Sequence, residues 1–74
     1  NPSTTINYQI PNERLVTIKV YDILGKEVTT LVNENKAAGK YSINFDAKNL
    51  ASGVYLYRIK AGNYVSTKKM MLLR

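Results

Sequence analysis

Leu50-Ala51-Ser52-Gly53-Val54-Tyr55-Leu56-Tyr57-Arg58-Ile59-Lys60-Ala61-Gly62-Asn63 carries turn chemistry at both ends and the chain's densest group of β-branched and aromatic residues between them. It reads as a central β-strand entered through one turn and left through a hairpin. By the period of two, Tyr55, Tyr57, Ile59 and Ala61 share one face, while Val54, Leu56, Arg58 and Lys60 share the other. The first face is apolar throughout and the second becomes solvated half-way along. Gly53 lets the backbone take a positive φ or pass close to another strand. Gly62-Asn63 suits a two-residue hairpin loop, because both residue types tolerate positive φ. The segment from Tyr64 to Leu73 should then fold straight back on the central strand.

Working outward, the remaining chain supplies more strands. Thr4 to Ile10 alternates, with Ile6, Tyr8 and Ile10 on one face and Pro11-Asn12 stopping it. Leu15 to Tyr21 places Val16, Ile18 and Val20 inward. Asp22-Ile23-Leu24-Gly25 turns the chain into a third strand from Val28 to Val32. A short helix over residues 26 to 35 competes with that strand, but Val28, Thr29, Thr30 and Val32 are β-branched and oppose it. Asn33 to Gly39 shows no periodicity and reads as a loop. Lys40 to Asp46 alternates with Tyr41, Ile43 and Phe45 inward, and Asp46 to Ser52 is a second polar connection with Leu50 tucked beneath it. Strands spaced this way, separated by turn signals, indicate an all-β domain: a small immunoglobulin-like β-sandwich of six to seven antiparallel strands. A sandwich is preferred to a barrel because the connections 33 to 39 and 46 to 52 suit crossings between sheets.

The 74 residues leave room for one domain, with no cysteine to staple it and no histidine. A domain this small buries only about 60% of the surface its unfolded chain exposes, so its stability rests on tyrosines and aliphatic residues. The formal charge is +6. The cations are spread over predicted strands and turns, with only Lys68, Lys69 and Arg74 forming a local group. That distribution suits solubility and protection of sheet edges, and argues against nucleic acid as a partner. No apolar run approaches the roughly 20 residues of a membrane helix, so no membrane span is expected. The opening Asn1-Pro2-Ser3 has no secretory-signal character and reads as the end of an upstream linker, leaving residues 1 to 74 as one C-terminal domain.

Catalytic chemistry finds little to build on. The five carboxylates, Glu13, Asp22, Glu27, Glu34 and Asp46, mostly lie in or beside predicted turns, and no spacing pairs them to share a proton or a metal. Ser66 and Lys68 share a strand face, but side chains two apart start about 6 to 7 Å from one another and nothing resembling an oxyanion hole accompanies them. No phosphate loop, zinc spacing or calcium loop is present, so no cofactor is expected. The tyrosines suit core packing better than a sugar- or base-stacking platform, since Tyr8, Tyr41, Tyr55 and Tyr57 fall on inward faces; Tyr64 is left undecided. The end of the chain is unusual in that Met70 and Leu72 make one face apolar and Met71 and Leu73 the other.

Five ordered blocks resemble a known family along almost the whole chain: Asn1-Pro2-Ser3-Thr4-Thr5-Ile6, Tyr21-Asp22-Ile23-Leu24-Gly25, Ala38-Gly39, Leu50-Ala51-Ser52-Gly53-Val54-Tyr55 and Lys68-Lys69-Met70-Met71-Leu72-Leu73-Arg74. They stand in the order found in the type A C-terminal sorting domain of the type IX (Por) secretion system. The chain departs from that pattern at Ala51, where the family usually has proline, and in a shortened Asn-Pro linker motif. The resemblance implies a domain that directs a larger N-terminal passenger across the outer membrane of a Gram-negative bacterium, by way of the periplasm, to the cell surface or the medium. Its implied partners are the outer-membrane secretion machinery and a sortase-like peptidase; with no histidine, no cysteine and no clustered carboxylates, the domain itself is expected to have no enzymatic activity. Gly53 and Tyr55 carry over as the shared turn motif, and Lys68, Lys69, Met70, Leu72 and Arg74 as the terminal sorting signal. The alternative is a carbohydrate-binding or adhesive sandwich that assists a secreted enzyme; an exposed coplanar pair of tyrosines would favour it.

Overall fold

A computed structural model of the chain describes residues 3 to 73. Six strands follow one another: β1 (Ser3–Ile10), β2 (Arg14–Asp22), β3 (Glu27–Lys36), β4 (Gly39–Asp46), β5 (Gly53–Ala61) and β6 (Tyr64–Leu72). All pairings are antiparallel. They form a two-stranded sheet, β1-β4, and a four-stranded sheet in the order β3-β2-β5-β6. The expected immunoglobulin-like sandwich is therefore present with six strands, and the described residues contain no helix. Ser3, counted with the linker in the sequence reading, is the first residue of β1 and pairs with Asp46.

The two sheets meet over one apolar layer. Ile6, Ile10 and Phe45 come from the small sheet, and Val16, Ile18, Val20, Val32, Tyr55, Ile59, Ala61 and Leu72 from the large one. Val16, Ile18 and Val20 are completely enclosed, as the alternation of β2 requires of a strand with a neighbour on either side. Ala47 and the half-buried Leu50 close the core from the β4–β5 connection. The Leu50 amide donates to the Ala47 carbonyl, which holds that connection in a turn.

One expected loop is strand. Residues 33 to 36 continue β3, pairing Asn33 with Thr17 and Lys36 with Arg14, so the crossing between sheets narrows to Ala37-Ala38. The stretch lacks an apolar period because β3 is an edge strand whose far end is open to solvent: Asn33, Glu34 and Asn35 are exposed. Backbone hydrogen bonds to β2 hold it there instead of burial.

β3 also carries two irregularities. Ile18 pairs with Val32 but Lys19 with Thr30, and Val20 pairs with Thr29 but Tyr21 with Glu27. Leu31 and Val28 are thus the extra residues of β-bulges, and each packs against the core. The apolar positions 28, 31 and 32 have helix-like spacing because the bulges shift the strand's parity twice.

Gly62-Asn63 forms the anticipated two-residue hairpin, with Ala61 paired to Tyr64. Of these two residues only Gly62 has a positive φ, at 63°. That is the pattern of a type II′ turn, in which the first central position alone demands glycine.

Candidate functional site

The terminal segment is the outer strand of the large sheet. Among the described residues β6 pairs only with β5, so its other edge offers unpaired backbone donors and acceptors. Its register on β5 decides which side chains are covered. Met70 lies opposite Tyr55 and Leu72 opposite Gly53, which turns both toward the core: Leu72 is buried and Met70 half-buried. Met71 and Leu73 go to solvent and are 62% and 77% exposed. The two apolar faces of the segment are therefore unlike, one packed and one open.

Lys68 is exposed on the inner face opposite Tyr57, and Lys69 is exposed on the outer face opposite Leu56. Arg74 lies outside the described residues. Met71 and Leu73, which the sequence reading left out of the sorting-signal set, are the tail's exposed apolar side chains. They have company. Asp22 pairs with Tyr55 and Gly53 with Leu72, which sets the β2–β3 turn at the same end of the sheet as the tail. Ile23 and Leu24 at its tip are 71% and 90% exposed. The Asp22 carboxylate accepts the Leu24 and Lys26 amide protons at 3.0 and 2.9 Å and shapes this tip. Two bulky apolar residues in a turn were the signal available in the sequence.

Gly53 and Tyr55 open β5 beside the tail. Gly53 has φ +152°. Tyr55 is buried, and its hydroxyl donates to the Ala51 carbonyl at 2.9 Å, fastening the preceding loop to the strand.

A model of the secretion system C-terminal sorting domain matches residues 1–73. The chain belongs to this family. It is a C-terminal sorting signal for type IX secretion, which implies export to the cell surface or the extracellular space, and the machinery of that system is its partner. A sorting domain is not catalytic. No curated protein and no solved structure matches the chain.

The other four carboxylates of the sorting domain have structural partners. Glu27 accepts from Thr30 at 3.0 Å and stands 3.6 Å from Lys19, while Glu34 bonds Lys36 at 2.7 Å. Asp46 accepts the Lys48 amide proton, and Glu13 accepts from Asn35. The hydrogen bond from Lys36 to Glu34 raises the lysine above its ordinary range. The tyrosines build no flat platform. Tyr8 and Tyr41 stack on each other, with centroids 5.3 Å apart and planes 19° apart, and both pack against the core. Burial pushes the Tyr8 phenol upward. Tyr64, undecided from the sequence, is exposed.

Proposed function

We propose that the secretion machinery reads the sorting domain through its terminal strand, with Lys68, Lys69, Met70, Leu72 and Arg74 as the signal and Met71 and Leu73 as its exposed apolar side chains. The observation that carries this reading is that β6 combines an unpaired edge with an open apolar face at the end of the sheet. Exposed apolar surface costs about 25 cal/mol per Å² relative to burial, so covering Met71 and Leu73 is a favourable step available to a partner. Methionine adapts to an irregular groove, and an edge strand accepts another strand by backbone pairing. Met70 and Leu72 act from the inside, fixing the register that presents their neighbours. Gly53 and Tyr55 set the turn that starts the strand on which β6 lies.

In this reading the passenger precedes the domain in the same polypeptide, travels through the periplasm of a Gram-negative cell, and is released from the sorting domain by a sortase-like peptidase. Ser66 and Lys68 do no chemistry. The stacked geometry of Tyr8 and Tyr41 gives no support to carbohydrate binding, which calls for rings side by side in one plane.

The test is a reporter fused ahead of the domain in a host with this secretion system, comparing the intact tail with one lacking Leu73 and Arg74. The truncated fusion is expected to stay folded and accumulate in the periplasm. Normal arrival at the surface refutes the assignment of the signal to β6.

A further inference from the structure

The sandwich is unbalanced: two strands lie opposite four. The deficit is local. In β6, Tyr64, Ser66 and Lys68 lie opposite Ala61, Ile59 and Tyr57, so they point toward the small sheet, since cross-strand partners share a face. Their parity calls for burial, yet Tyr64 and Lys68 are exposed and Ser66 is only half-buried. Among the described residues, no strand of the small sheet covers them. What borders them is a groove of about 370 Å³, walled on its other side by the consecutive β1 residues Asn7 to Ile10. Among the described residues β1 pairs only with β4, so the other edge of β1 carries unpaired backbone groups. Arg14 closes one end, its Nη1 donating to the Ala61 carbonyl at 3.3 Å. Arg14 and Lys68 are the charged residues lining the groove, and no carboxylate answers them there.

We propose that this groove docks an extended, acidic segment of a partner polypeptide, which adds a third strand to the small sheet along the free edge of β1. Backbone pairing with residues 7 to 10 supplies the alignment, as in other cases of strand addition. Alternate side chains of the added strand then point inward and cover Tyr57 and Tyr64, while a carboxylate in the same row meets Lys68. The cationic lining selects against a basic segment. The proposal rests on the sorting reading only for the source of the segment, a component of the secretion machinery. It gives Lys68 a role different from that of Lys69, which lies on the opposite face.

The experiment uses the ¹⁵N-labelled chain and two synthetic seven-residue peptides, each with serine at the odd positions and valine, valine and one charged residue at the even ones, that residue being aspartate in one peptide and lysine in the other. The aspartate peptide is expected to shift the amides of Asn7 to Ile10 together with those of Ser66 and Lys68, and to slow exchange of the β1 amides. Lys68→Glu should weaken that binding about tenfold or more and transfer preference to the lysine peptide, as expected for a charge pair partly removed from water. Lys68→Gln, which adds no repulsion, should weaken the aspartate peptide without gaining the other. The proposal is overturned by shifts confined to β6 with β1 unmoved, by equal binding of both peptides, or by no shift up to about 1 mM peptide. If removal of Leu73 and Arg74 blocks export while the peptide leaves β1 unmoved, the sorting reading stands and the groove proposal falls.

Discussion

Gly53→Val separates backbone strain from packing at the start of β5. The glycine has φ +152°, and no atom beyond its chain neighbours lies within 4 Å of the place a Cβ would occupy. Collision with the rest of the fold therefore contributes nothing, and the cost is that of the local backbone conformation. Holding a residue with a side chain in a sparsely populated region of φ costs about 1 to 3 kcal/mol, with a β-branched residue toward the upper end. At 0.05 to 0.15 kcal/mol per residue, a domain of this size has roughly 4 to 11 kcal/mol of stability in total. A loss of about 2 kcal/mol lowers the melting temperature of so small a domain by roughly 8 to 16 °C. Urea titration followed by circular dichroism reads the change as a lower midpoint at unchanged slope. Gly53→Ala should lose somewhat less than valine, and a synthetic chain with D-alanine at 53 should match glycine within about 0.5 kcal/mol, because a D-residue mirrors the φ preference. An unchanged midpoint for valine, or a D-alanine chain as unstable as the L-alanine one, refutes the reasoning.

Tyr55→Phe removes the hydroxyl that holds the Ala51 carbonyl and should cost about 1 kcal/mol, read as a fall in melting temperature with the sheet signal intact. Alkaline pH should also destabilise the domain. Burial raises the Tyr8 phenol above its ordinary value of 10.0, so the stability due to its neutral form is complete below that pH and is lost as the pH climbs through the raised value. Lys36, raised by its bond to Glu34, loses its contribution as it deprotonates in the same direction. Urea midpoints measured on either side of about pH 10 should therefore fall less steeply for Tyr8→Phe than for the unaltered chain.

Period-two alternation made the inner strands legible. Val16, Ile18 and Val20 stand in β2 between two neighbours, so side-chain parity alone identifies what is buried. Reading failed where parity stopped reporting burial. Asn33 to Asn35 are polar because this end of the β3 edge is open to solvent, and only the pairing with β2 makes them strand. Val28, Leu31 and Val32 mimic a helix because bulges offset them. Tyr64 has inward parity but is exposed, since coverage depends on how many strands the opposite sheet contains. The tail was legible as two apolar faces; which face is packed follows from Leu72 lying opposite Gly53, a register that the two-residue turn at Gly62 fixes. The proximity of Ile23 and Leu24 to that tail is a product of topology, because the pairing of β2 with β5 brings distant parts of the chain to one end.

The strand order also governs when the domain can assemble. The small sheet brings Ser3 against Asp46, and β2 finds its inner neighbour only in β5. The local hairpins β2–β3 and β5–β6 can close early, but neither encloses a core by itself. Pairing at such sequence separation places the domain among slow folders, on the millisecond-to-second scale, compared with microseconds for helical bundles. A chain delivered from its N-terminus thus has no finished sandwich until β5 and β6 have emerged, and most of its length remains threadable through a narrow passage until then.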